Sequence, residues 1–149
     1  MSFVRLESCV DPVAVRDARR RAGLTQGELA RLIDVAGGER ISRWELGSSA
    51  PRPEMLLRLA QALNVDVGDL LEAEGPADLR RLRTSAGLSA RTLADRAQMS
   101  VPTYIRWESG RTRLPARQAL KPLGKALHVR VEAVESAIAI AIANVTRAD

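Results

Sequence analysis

Most of this chain is written twice. The string AGLTQGELA at residues 22–30 returns as AGLSARTLA at 86–94, ISRWELG at 41–47 as YIRWESG at 104–110, and LLRLAQALNV at 56–65 as LKPLGKALHV at 120–129. With one-residue gaps before each Trp and before each Pro, eighteen positions from Arg16 to Val67 have an identical partner about 64 residues further on. A repeat of this size is a small domain, so the chain is expected to do one kind of thing in two places. Units of about 60 residues sit near the lower limit for a self-sufficient core. The copies are therefore expected to dock on each other or to share the C-terminal tail.

The length of 149 residues suits two such domains. A single cysteine, Cys9, excludes an internal disulfide and lies outside both repeats. No apolar run is long enough to span a membrane, and the N-terminus lacks a basic-then-apolar signal pattern, so a cytoplasmic, nucleoid-associated location is expected. The net charge of +5 is unevenly spread: residues 1–75 carry ten Arg against twelve acids, and residues 76–149 carry eleven Arg and two Lys against six. Basic charge points to nucleic acid only weakly by itself. Arginine, however, has the fork geometry that suits phosphate and guanine edges.

Periodicity and punctuation make the chain all-α, with five helices in each half. Asp11-Pro12 opens a helix that stops at Gly23. Thr25 with Glu28 has capping-box spacing and opens a second helix. Asp34–Gly38 reads as a turn, Glu39–Leu46 as a third helix closed by Gly47, the stretch after Pro53 as a fourth closed by Asn64, and Val65–Leu71 as a short fifth. After a linker at Glu72–Pro76 the pattern restarts, with helices over roughly 77–86, 89–97, 101–109, 115–127 and from 130 onward. The expected domains are 11–72 and 77–130, followed by an apolar C-terminal segment, 131–149. In that segment Ile138, Ile140 and Ile142 also alternate like a strand, though the intervening alanines favour helix.

Two short helices joined by a tight turn, the second ending Trp-Glu-x-Gly, have a helix-turn-helix layout. The sequence here resembles the phage-repressor/Cro type, the XRE-like and lambda-repressor-like helix-turn-helix family. The resemblance rests on Arg19, Gly23-Leu24-Thr25-Gln26, Leu29-Ala30, Ile41-Ser42-Arg43-Trp44-Glu45, Gly47, Pro51, Leu59-Ala60, Leu63 and Val65. In the second half it rests on Arg83, Gly87-Leu88-Ser89, Leu93-Ala94, Ser100, Tyr104, Arg106-Trp107-Glu108, Gly110, Pro115, Leu123, Leu127 and Val129. It implies that the third helix of each copy enters the major groove while the second helix crosses the backbone and the loop after the third lies on phosphate.

Carried onto the first copy, the resemblance places Gln26 at a phosphate or adenine edge. It lines the outer face of the third helix with Glu39, Arg40, Ser42 and Arg43, of which Arg43 suits a bidentate guanine contact. One extra residue falls in the Asp34–Gly38 turn, and the following Ser48-Ser49-Ala50 is uncharged, which implies a weak grip on phosphate. The second copy has the reverse profile. Ala90 replaces the glutamine, and Val101, Pro102 and Ile105 offer no hydrogen bonds, although Val101 is placed to touch a thymine methyl. Arg91, Ser100, Thr103 and Arg106 remain as polar DNA-facing residues, and Arg111 and Arg113 make the loop basic. The resemblance also pairs Arg19 with Glu45 and Arg83 with Glu108 as structural ion pairs, and makes Trp44 and Trp107 core anchors. His128 stands where Asn64 stands, just past a helix end, and reads as a cap.

Nothing supports catalysis, a cofactor or a metal: one His and one Cys cannot build a metal cluster, and no phosphate-cradling glycine loop is present. In the tail, Val134, Ile138, Ile142 and Val145 form a helical stripe, expected to mediate a homodimer, with packing on the chain's own domains as the alternative. The expectation is thus a non-enzymatic, sequence-specific regulator binding double-stranded DNA, of the repressor kind. The alternative is a protein-interaction module, antitoxin-like or a repressor's partner, in which one or both copies leave DNA alone.

Overall fold

A computed structural model describes residues 9–72 and 77–148, which divide between two compact units, Met1–Gly75 and Pro76–Asp149. Of the expected linker, only Glu72 lies within the described residues.

In the first unit, α1 (Pro12–Arg21) starts where Asp11 accepts a hydrogen bond from the Val13 amide at 3.0 Å, with Pro12 in the first turn. Gly23, at φ +73°, then turns the chain. Thr25 caps α2 (Gln26–Leu32) in a reciprocal box: its hydroxyl accepts from the Glu28 amide at 3.1 Å, and the Glu28 carboxylate accepts from the Thr25 amide at 3.0 Å. After α3 (Gly38–Leu46) and α4 (Pro53–Leu63), a single 3-10 turn, Val67–Leu70, closes the unit. Val15 and Ala18 meet Leu29, Ile41, Trp44, Leu56, Leu59 and Leu63 in one core, as the helical spacing of these apolar positions requires.

The second unit repeats the plan as α5 (Leu79–Ser85), α6 (Ala90–Arg96), α7 (Val101–Ser109) and α8 (Arg117–Leu127). Asn64 and His128 both end their helices in the left-handed conformation, at φ 55° and 57°. Trp44 is buried, whereas Trp107 is half-buried and the fully buried aromatic of the second core is Tyr104, at the position of Ile41.

The two copies part after their fourth helices. The short fifth helix expected at 65–71 is only the 3-10 turn, because Leu71 leaves it extended and bridges to Val10. Asp11 donates to the Leu70 carbonyl at 2.9 Å, and Glu72 to the Cys9 carbonyl at 2.8 Å. In the second unit the corresponding segment runs on as α9 (Val131–Ala148), which settles the strand-or-helix ambiguity as helix. It packs on α8, α7 and α5 within its own unit.

The stripe expected to mediate a homodimer lies largely on the inward face of this helix. Val134, Ala137 and Ile138 are each 0 % exposed and Ala141 is 7 %, so the inward face is core. Ile142 packs half-buried against the same cluster, and Val145 is half-buried. Side chains with no exposed surface have none to offer a second subunit. The buried apolar residues of this helix extend the core of a unit near the lower size limit for self-sufficiency. The second compact unit, Pro76–Asp149, includes α9.

Gly110 shows how closely this helix docks. It caps α7 at φ +77°, and a Cβ there would collide with the Ala141 carbonyl and the Ile142 amide of α9. Gly47, its counterpart at φ +78°, would meet only the Pro12 ring at 3.4 Å. Gly47→Ala should cost about 1 kcal/mol, the left-handed penalty alone. Gly110→Ala should cost at least about 2 kcal/mol more, because a collision with backbone adds to that penalty. Urea unfolding followed through Trp44 and Trp107, one per unit, measures the difference.

Candidate nucleic-acid interface

Each unit is organised around a buried fork. In the first, Arg19 of α1 donates through Nε and Nη2 to both carboxylate oxygens of Glu45 on α3, at 2.6 and 2.9 Å, and through Nη1 to the Leu24 carbonyl at 2.8 Å. In the second, Arg83 does the same to Glu108, at 2.8 Å for each bond, and to the Leu88 carbonyl at 3.1 Å. These are the expected ion pairs, with all four side chains at most 12 % exposed. Bidentate pairing fixes direction as well as distance, so the fork sets where the third helix lies against the first.

The third partner of the carboxylate differs between copies. Gln26 donates from Nε2 to Glu45 at 3.1 Å, so this side chain, expected at a DNA edge, joins the ion-pair cluster. In the second copy Ala90 stands at that position, and Glu108 accepts instead from the Tyr104 hydroxyl at 2.6 Å and from Arg80 Nε at 3.4 Å. Sequence reading missed Tyr104 in this role, although a Tyr four residues before a Glu on one helix face was the available signal.

A Cβ on Gly38 would lie 3.1 Å from the Gly27 amide nitrogen and 3.2 Å from the Gln26 carbonyl carbon and Cβ, so the start of α3 lies close against the backbone at the start of α2. In the second copy Ala90 and Val101, at the positions of Gln26 and Gly38, are both half-buried and pack against the core. Val101, expected at a thymine methyl, is therefore largely committed inward.

The turn between the two helices is shared up to one point. Asp34 and Gln98 both adopt positive φ, and Val35 and Met99 donate back to the carbonyls of Ala30 and Ala94 at 2.9 Å. The extra residue of the first copy falls between Val35 and Gly38. There Gly37 caps α3 with no side-chain bond, whereas Ser100 caps α7 by accepting from the Thr103 amide at 3.3 Å.

The outward face of α3 presents Glu39, Ser42, Arg43 and Leu46, with Arg40 on its flank; Glu39, Arg40, Arg43 and Leu46 are exposed and Ser42 is half-buried. Arg40 and Arg43 share a cleft of about 370 Å³ with Arg52, Ser49 and Pro51. Arg52 was missed because it lies beyond the uncharged Ser48-Ser49-Ala50. As the residue before α4, it brings a third guanidinium to a loop that looked neutral. On α7 the outward face is Pro102, Ile105, Arg106 and Ser109. Half-buried Thr103 accepts from Ser100 Oγ at 2.8 Å and from Arg106 Nη2 at 3.3 Å. Arg91 is exposed in the first turn of α6, and Arg111 and Arg113 are exposed after α7, Arg111 lining a hollow with Ala141 and Val145 of α9. Each unit thus has one exposed helix face flanked by guanidinium groups.

Two family models match, one described as "Helix-turn-helix" over residues 15–70 and one as "Helix-turn-helix domain" over residues 77–137. The chain belongs to the XRE-like helix-turn-helix family and carries two copies in tandem. The second match runs seven residues past 130, into α9. No curated protein and no solved structure matches the chain significantly. Helix-turn-helix domains of this kind are those of DNA-binding regulators. Among the described residues no group of three or more His, Cys, Asp or Glu is placed to hold a metal ion, and no helix is long and apolar enough to cross a membrane.

Electrostatics follows from the forks. Burial by itself pushes the carboxyls of Glu45 and Glu108 upward, but the hydrogen bonds and charges of Arg19 and Arg83 outweigh it and hold both below the usual carboxylate range. Burial first, then the Glu108 charge, pushes the Tyr104 phenol up, so it remains a donor. A carboxyl depressed in the folded state stabilises fully above its unfolded pKa of about 4.3, and that contribution is lost as pH falls through the folded pKa. Urea titrations should therefore give a plateau above about pH 5 and declining stability below it. Glu108→Gln should flatten the second unit's share of that decline and cost about 3–5 kcal/mol at pH 7, since it leaves Arg83 unpaired.

Proposed function

We propose that the chain is a sequence-specific repressor that occupies double-stranded DNA through α3 and α7. The observation that carries this reading is the repeated arrangement of one exposed arginine per outward helix face, Arg43 and Arg106, beside Arg40 and Arg52 in one unit and Arg111 and Arg113 in the other. Arginine on a groove-entering helix pairs bidentately with guanine O6 and N7, and flanking arginines neutralise phosphate. With Val134 and Ile138 sealed in a core, the reading favours a single polypeptide carrying two unlike readers over a dimer built on the tail. Such a molecule fits an asymmetric site. Regulation follows by exclusion of other proteins from the bound promoter, in the cytoplasm at the nucleoid.

A second reading, a protein-interaction module, draws on Leu46. This leucine is 77 % exposed at the end of the first copy's outward face, on the same side as Glu39, which repels phosphate.

Selection of bound duplexes from a random pool separates these readings. Two unlike half-sites are expected; a palindrome would mean a dimer, and no enrichment would favour the interaction module. On an enriched duplex, Arg43→Ala and Arg106→Ala should each cost about 1–3 kcal/mol. Replacing Arg111 and Arg113 together should weaken all duplexes alike. With about six phosphates neutralised, affinity should fall with salt at a log–log slope near −5.

A further inference from the structure

The outward face of α7 is poorer in free hydrogen-bonding groups than that of α3. Pro102, Ile105, Arg106 and Ser109 follow one another at helical spacing along it. Pro102 has no amide hydrogen, and Ile105 is 52 % exposed. The polar groups beside them are bonded to each other. Arg106 donates to Thr103, Thr103 also accepts from Ser100, and the Ser109 hydroxyl donates to the Arg106 carbonyl at 3.1 Å. The apolar pair is not overflow from the core either, because Tyr104 fills the interior from the opposite side of the helix and Val101 is packed inward. In the first copy the same two positions are Glu39 and Ser42, so a polar face is compatible with this fold.

An exposed isoleucine beside a proline, on the face that would enter the major groove, calls for an apolar ligand there. The one apolar group at the edge of a base pair in that groove is the 5-methyl of a pyrimidine. We infer that α7 recognises a pyrimidine 5-methyl group, carried by thymine or by 5-methylcytosine, through Ile105 and Pro102. Arg106, one helical position from Ile105, then reaches a neighbouring guanine. The two copies divide the chemistry: α3 reads by hydrogen bonds and charge, α7 by methyl contact with a single arginine. This inference rests on the DNA-binding reading proposed above.

The test uses the full chain and a duplex enriched from the random pool, with each thymine replaced singly by deoxyuridine, which removes only the methyl. At one or two positions the wild type should bind the uracil duplex about fourfold more weakly, the effect of one buried methyl-sized group. Ile105→Ala should abolish that difference while still binding, and Ile105→Ser provides a second exposed-site variant should the first prove unsuitable. At the same step, 5-methylcytosine opposite guanine should bind more tightly than cytosine by a similar factor. If 5-methylcytosine behaves as cytosine while thymine is preferred, the base-pair edge and not the methyl is read, and the inference falls. It falls equally if uracil and thymine are bound alike at every position, or if their difference survives in both Ile105 variants. Absence of binding to any duplex would overturn this inference together with the reading beneath it.

Discussion

The rest of each unit depends on one buried arginine–carboxylate fork. Three short helices of seven to ten residues have little intrinsic stability, and their apolar faces alone would allow them to slide. Arg19 and Arg83 remove that freedom, because each holds both oxygens of a carboxylate on the third helix and the carbonyl just before the second. A buried ion pair need not add net stability over an apolar replacement. What it supplies here is direction: the outward face of α3 or α7 is fixed by which side of the helix carries Glu45 or Glu108.

With that constraint kept, the surroundings have diverged. Gln26 and Tyr104 are alternative third donors to the same carboxylate, provided from different helices. The consequence is that Gln26, expected at DNA in the first copy, is half-buried and bonded to Glu45, and Val101, expected at DNA in the second, is half-buried against the core.

The closing segments diverge more openly. The first unit ends in a 3-10 turn and a backbone bridge between its own two ends, the second in an 18-residue helix whose inner face is core. α9 lies against the backbone at Gly110 and lines a hollow with Arg111, so the end of α7 meets a helix with no counterpart among the described residues of the first unit.

Much of this was legible from residue order, because the signals are local. The caps at Asp11, Thr25 and Ser100, the turns at Gly23, Gly47 and Gly110, the closures at Asn64 and His128, and the helical spacing of the leucines each act within one or two turns of chain. The duplication added the family, and with it the ion pairs. The rest involved groups that meet only when distant segments pack. Nothing near Gln26 announces that Glu45 will accept its amide, nothing in Ser48-Ser49-Ala50 shows that Arg52 will join Arg40, and the stripe of Val134 and Ile138 looks the same whether it covers a partner or its own domain. Sequence by itself determined the helices, their order and their repetition, since those follow from backbone and side-chain preferences over a few residues. Only the tertiary structure decided which side chains remain on the outward faces, because burial depends on which surfaces meet.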